Sequence, residues 1–274
     1  MRSAITVCLV PEARSGPFVY HSGLEHGCEQ AALSGFDAVE VFPQAAGEVN
    51  PQQLRQQLRQ LLDRYGLKLA AVGTGAGWLT QQLSLTATDP AVAQRAIEFI
   101  RGIIDLAGSF GAPAIIGSMQ GRIPAPAQRD SLFAQMTLAI ELLAQHAARF
   151  EVPLLIEPLN RYETNVFTDL ETTAAWMNSL KSKNVRILAD MFHMNIEEAD
   201  MAESVRRFGS LIGHVHFADS NRRAIGLGHT DAATVVRALA EVGYGGYLSA
   251  EIFPVPDAEV AARQTIESFR KFVP

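Results

Sequence analysis

Apolar and polar residues follow two rhythms along this chain. Short, continuous runs of apolar or β-branched residues alternate with longer stretches in which apolar positions recur at helical spacing. The first run covers residues 4–9 and precedes a helix near 24–33. Strand 2 is predicted over 38–42 and its helix over 51–65, with Asn50 as N-cap and Pro51 at the first helical position. Gly66 ends that helix, and strand 3 follows over 68–73. A helix opens after Asp89 and runs to about residue 106. Strand 4 covers 114–117, and a helix over 128–150 places Leu132, Met136, Ile140 and Leu143 on one face. The second half repeats the rhythm, with strands over 153–158, 185–190, 212–218 and 247–252 and helices over 170–180, 201–208, 232–242 and 258–272.

Strands buried on both faces in a parallel sheet read as unbroken apolar runs, and LLIEP, RILAD, HVHFAD and YLSAEIF do so up to their ends. Eight βα units of this length predict an α/β fold of the (β/α)8 TIM-barrel type. An open, doubly wound sheet is the alternative. Such a sheet often carries a glycine-rich phosphate turn after an early strand, whereas strand 1 here runs into Pro11-Glu12-Ala13. With 274 residues, the chain matches one TIM-barrel domain spanning 1–274. Its 48% hydrophobic content is enough for a large core.

Charge and cysteine usage narrow the function. The net charge of −6 lacks the basic surplus of a nucleic-acid binder, so no nucleic-acid partner is expected. No apolar run approaches the roughly 20 residues that span a bilayer, so no membrane partner is expected. The N-terminus reads as a strand, not as a signal peptide. Cys8 and Cys28 form neither a disulfide framework nor a metal motif and are read as inert packing in a cytoplasmic enzyme.

The candidate chemistry lies where charge interrupts the apolar strands. Glu157 ends strand 5, Asp190 ends strand 6, His216 lies late in strand 7 and Glu251 late in strand 8. In a barrel these ends converge on one mouth. A carboxylate in an apolar strand is costly unless it is paired or holds a metal. Hydrogen-bonded buried groups would explain any one of the four, but four on consecutive strands are improbable as decoration. Three carboxylates and an imidazole make an oxygen-rich set that suits Mn²⁺ or Mg²⁺, with Co²⁺ and Zn²⁺ as alternatives. Further polar residues follow each ligand: 160–163 after Glu157, His193 after Asp190, and Asp219 to Arg223 after His216. They are read as mouth loops that contact substrate. Gly73 to Gly77 is read as a place of close backbone approach or loop motion, and Trp78 as either a sugar-stacking ring or ordinary packing.

The segments E-x-x-N-R-x-E, D-x-x-H, H-x-H and N-R-R resemble the xylose isomerase-like barrels, and among them the D-tagatose and D-psicose (allulose) 3-epimerases. The resemblance is specific from about residue 154 to 253. It departs at Pro158, at the 116–122 segment and over the N-terminal half. It implies one divalent metal ion, Mn²⁺ first, held by Glu157, Asp190, His216 and Glu251. It also implies substrate contacts from Glu163, His193 and Arg222. The implied reaction is sugar isomerisation or epimerisation by proton transfer next to a carbonyl through a cis-enediolate, with Glu157 and Glu251 as catalytic acid and base. The implied partner is a small sugar or keto-sugar, and such barrels assemble as homodimers or homotetramers. A lyase or dehydratase using the same enolate chemistry on a keto-sugar stays open. So does an endonuclease IV-like phosphodiesterase, for which His229 and Asp231 are spare ligand candidates. Arg14, Arg122 and Arg222 are the residues that would meet a substrate phosphate.

Overall fold

The computed structural model describes residues 1–44 and 51–273. Eight strands, β1 (Arg2–Cys8), β2 (Ala38–Phe42), β3 (Lys68–Gly73), β4 (Ala114–Ile116), β5 (Leu154–Ile156), β6 (Val185–Asp190), β7 (Ile212–His216) and β8 (Tyr247–Ala250), pair in parallel in chain order. β8 then pairs with β1, closing the barrel and excluding the open sheet. The helices are α1 (Leu24–Ser34), α2 (Pro51–Tyr65), α3 (Ala76–Gln81), α4 (Pro90–Gly108), α5 (Arg129–Ala148), α6 (Leu170–Ser179), α7 (Met191–Glu197), α8 (Met201–Phe208), α9 (Ala232–Glu241) and α10 (Ala258–Phe272). The N-cap assigned to Asn50 lies outside the described residues.

Local chemistry explains the boundaries. Asp89, Asp169, Asp200, Asp231 and Asp257 each cap a helix by accepting a backbone N–H from its first turn. Gly66 takes the left-handed conformation (φ +67°) that ends α2. Leu132, Met136, Ile140 and Leu143 are all buried on α5.

Two helices depart from the sequence reading. Ala76–Gln81 is helical, so the glycine-rich run ends in a short helix, and Gly77 allows the close approach of Met119 and Phe99. Met191–Glu197 is also helical, so Met191, Phe192 and His193 are not loop residues. Asp190 caps α7 through one oxygen, which accepts from Phe192 N at 2.7 Å and His193 N at 3.3 Å. Glu157 and Glu251 stand one residue beyond the last paired residues of β5 and β8.

The barrel lumen changes character from bottom to top. Side chains alternate along a strand, so every second residue faces inward. Low in the lumen, Ala4, Ala38, Ala70 and Tyr247 form one apolar cluster, and Ala71, Ile115, Leu155 and Leu188 form another. The main core lies apart from both and joins the outer strand faces to the helices. Strand register places Thr6 beside Glu40, His214 beside Leu188 and Asp190 beside His216, so the polar side chains begin at the level of the second apolar cluster and continue to the mouth. Among the described residues, no helix is long and apolar enough to cross a membrane.

Candidate active site

The four residues singled out on the last strands converge. One ligand atom from each of Glu157, Asp190, His216 and Glu251 lies within 4.8 Å of all the others, and all four residues are buried. His216 Nδ1 is the hub, at 3.0 Å from Asp190 Oδ2, 3.2 Å from Glu157 Oε1 and 3.4 Å from Glu251 Oε2. Glu157 Oε1 is buried yet accepts no hydrogen bond, because its approach to Nδ1 lacks hydrogen-bond geometry. Gly117 makes room for the same carboxylate, since a Cβ there would lie 2.3 Å from Glu157 Oε2.

The electrostatics point to a missing positive charge. Burial raises the carboxyl pKa of Glu157, and it pushes that of Glu251 up to about 8. Asp190 resists the same burial penalty and stays well below the usual carboxylate range, because Arg222, His193 and His216 stand beside it. Burial would lower the His216 pKa, but Glu40, Glu251, Asp190 and Glu157 outweigh it and hold the pKa well above the usual imidazole value. The cluster therefore takes up protons to offset its own charge. A divalent cation supplies that charge directly, and the oxygen-rich donor set with its orphan oxygen fits one.

Arg222 enters the cluster from the β7–α9 loop. Its guanidinium donates to Glu251 Oε2, sits 3.2 Å from Asp190 Oδ2, and lies over the Phe192 ring at 4.7 Å. Its backbone is left-handed (φ +55°), a conformation that costs a side-chain-bearing residue about 1–3 kcal/mol and concentrates at functional sites. Asp219 holds this loop in place. Its buried carboxylate accepts backbone N–H groups from Ser220, Gly226, Gly228 and Thr230 at 2.7–3.0 Å, which makes it a loop clamp and not a substrate contact.

Asn160 organises the remaining polar residues. Its side-chain oxygen accepts from Tyr162 N, so its amide nitrogen faces the site. That nitrogen is 2.8 Å from both Glu163 Oε1 and His193 Nδ1, and the Asn160 backbone N–H also donates to Nδ1 at 3.2 Å. The Asn160 backbone N–H makes Nδ1 an acceptor, and on the other side of the ring Nε2 lies 3.3 Å from Nη1 of Arg222. Burial lowers the His193 pKa to about 4, so this imidazole is neutral near pH 7.

A cavity of about 440 Å³ opens above the cluster. Glu157, Glu163, His193, Arg222 and Glu251 line its polar end, and the remaining wall includes the apolar Val10, Phe18, Phe42, Trp78, Leu79 and Phe253 together with Glu12, Ser15, Thr74 and Ser118. Asp190 and His216 do not reach the cavity wall. Trp78 is half-exposed on that wall, and Cys8 also lines it, so Cys8 is not simple packing; Cys28 is buried. Arg122 donates to Tyr162 O and lies outside the cavity, Arg14 borders a separate small recess, and Arg223 is exposed. His229 is exposed and Asp231 caps α9, so neither adds a ligand. Among the described residues, the groupings that could hold a metal are this cluster and Glu40–His214–His216, which share His216. Sequence reasoning gave Glu40 no role, although a glutamate in the apolar run Ala-Val-Glu-Val-Phe carries the same signal as the other four.

Residues 28–272 match the family model described as xylose isomerase-like TIM barrel. The chain belongs to the xylose isomerase-like TIM-barrel family. Within this family it is 31% identical to the L-ribulose 3-epimerase of Methylomonas sp. (strain DH-1) over 237 residues, 85% of this chain and 79% of that one. It is 32% identical to the 3-dehydro-D-guloside 4-epimerase of Escherichia coli (strain K12) over 161 residues, 58% of this chain and 59% of that one. The crystal structure of D-allulose 3-epimerase from Methylomonas sp. in complex with D-allulose superposes with a TM-score of 0.80 at 25% identity, covering 99% of this chain and 100% of that one. The resemblance read from the sequence motifs is thus a family relationship, and this barrel is an enzyme of the isomerase and epimerase class.

Proposed function

We propose that the protein is a divalent-metal-dependent ketose 3-epimerase, with one barrel domain carrying one site. Glu157, Asp190, His216 and Glu251 hold the ion, Mn²⁺ in the first place, and Glu157 and Glu251 carry protons. The observation that supports this division is the cavity wall: of the four residues, Glu157 and Glu251 line it and Asp190 and His216 lie behind it. When bound, the cation acts as a Lewis acid toward the substrate carbonyl and neighbouring hydroxyl.

The protein's own groups do the rest. A carbon acid next to a carbonyl is weak; burial favours the protonated form of both glutamates in the metal-free protein, and the cation, when bound, would make the substrate carbon more acidic. One glutamate removes the proton to give a cis-enediolate, and the other returns a proton to the opposite face, inverting the carbon. His193 and Arg222, side by side at the polar end, face the substrate's oxygens, Arg222 supplies charge where oxygen becomes anionic, and Glu163 accepts a sugar hydroxyl. The apolar wall excludes water from the intermediate. The substrate is a small ketose, in line with the names of the relatives, and the enzyme works in the cytoplasm, where the free thiols of Cys8 and Cys28 stay reduced.

The test is solvent exchange in deuterated water with Mn²⁺ and a panel of ketoses and aldoses. The wild-type protein is expected to exchange one carbon-bound proton and yield the C3 epimer. Glu157→Gln and Glu251→Gln should each lower exchange by at least about 10²-fold. Wild-type exchange in both variants would reject the acid–base roles, and a product lacking a substrate group would make the enzyme a lyase.

A further inference from the structure

The hub imidazole is held from behind. His216 presents Nδ1 to the three carboxylates of the mouth, and its other nitrogen, Nε2, lies 3.0 Å from Glu40 Oε1. The second oxygen of Glu40 lies 2.7 Å from Nε2 of His214, two residues below His216 on the same strand. All three side chains are at most 1% exposed. The two imidazoles stand nearly perpendicular, 85° apart with centroids 5.7 Å apart. β2 and β7 are not neighbours in the barrel, so Glu40 reaches across the lumen to join them.

We propose, on the reading of the mouth as a divalent-cation site, that Glu40 is a positioning residue for the cation. By accepting the Nε2–H of His216 it fixes one tautomer and one ring orientation, with the Nδ1 lone pair directed into the mouth. His214 occupies the other oxygen, so the Glu40 carboxylate cannot turn away from His216. A carboxylate behind a ligating imidazole also makes that imidazole a stronger donor. A fully buried carboxylate needs partners to be tolerated, and two imidazole N–H groups supply them. The alternative, a second metal among Glu40, His214 and His216, fits less well. Each oxygen of Glu40 faces a different imidazole nitrogen, at 2.7 and 3.0 Å, so one hydrogen bond apiece satisfies the carboxylate, whereas a metal there would take Nε2 of His216 for itself and leave that ring without a carboxylate behind it.

The test is metal binding, read without sugar turnover. Mn²⁺ affinity and stoichiometry are measured on the full-length wild type, Glu40→Gln and His214→Gln. The Co²⁺-loaded forms are examined by proton NMR for a paramagnetically shifted, exchangeable imidazole N–H. The wild type should bind one cation and show this N–H protected from exchange. Glu40→Gln, nearly isosteric, should weaken Mn²⁺ binding about 10–100-fold and expose the N–H to fast exchange. His214→Gln should do the same to a smaller extent, and it carries the test if Glu40→Gln does not fold. Wild-type affinity together with a protected N–H in a folded Glu40 or His214 variant would overturn the positioning role while leaving the proposed function intact. Two cations per wild-type chain, with one lost in Glu40→Gln, would replace it with a second metal site. Failure of the wild type to bind any divalent cation would overturn the proposed function first, and the role of Glu40 with it.

Discussion

The two halves of the barrel mouth are built for different tasks. On the side of β5–β8, the strand ends carry Glu157, Asp190, His216 and Glu251, with Arg222 and His193 added from the segments that follow. On the side of β1–β4, the mouth presents Cys8, Phe42, Gly73 and Gly117, and Glu40 sits deeper as support. One half supplies chemistry and the other supplies space. Gly73 and Gly117 lack side chains where a Cβ would strike the Phe42 ring or the Glu157 carboxylate. A catalytic site therefore depends on residues chosen for what they leave out as much as on those that react.

The strongest challenge to this division is a methyl group on the half that supplies space. In Gly117→Ala the new Cβ would meet the far end of a side chain, so the fold should survive with a melting temperature close to wild type. The Glu157 carboxylate must move aside, however. A displacement near 1 Å at reacting groups costs about 10²-fold in rate, and a loss of that order in kcat is expected. Unchanged kcat would mean that Glu157 need not stand where it does.

A smaller effect sharpens the other half. In the metal-free protein Glu251 has its pKa raised to about 8, Glu157 is also raised, and His216 is held well above its usual value. With its pKa at about 8, Glu251 is largely protonated at neutral pH, the imidazole of His216 is held in its charged form, and both must give up a proton to ligate a cation. Cation binding must therefore release protons, and affinity must rise with pH. With at least one proton released, Mn²⁺ affinity should increase about tenfold per pH unit from pH 6 to near 8 and then flatten. Calorimetry in buffers of different ionisation enthalpy counts the protons, and a pH-independent affinity would show that the ligands are already ionised.

The same contrast explains what could be read in the sequence. β2, β3, β6, α2, α8 and α10 match their predicted bounds to the residue, because continuous apolar runs and helical spacing are local signals. The four charged strand ends were legible because a charge in an apolar run is conspicuous. Glu40 carried that signal too, but its partners, His214 and His216, lie on β7, and no local pattern joins β2 to β7. α7 was hidden because Asp190 plays two parts, ending β6 and capping the helix that follows at once. Asp219 read as a substrate contact because its true partners, Gly226, Gly228 and Thr230, are assembled only by the loop's fold. The space was least legible of all, since a glycine at a strand end announces neither a cavity nor the side chain it admits.

The most direct measurement is an anomalous difference map, recorded at the manganese edge from crystals of the protein soaked in Mn²⁺. One strong peak is expected, bonded to Glu157, Asp190, His216 Nδ1 and Glu251 at the head of the 440 Å³ cavity. A map with no peak among these four side chains, or with its peak elsewhere in the barrel, would contradict the account.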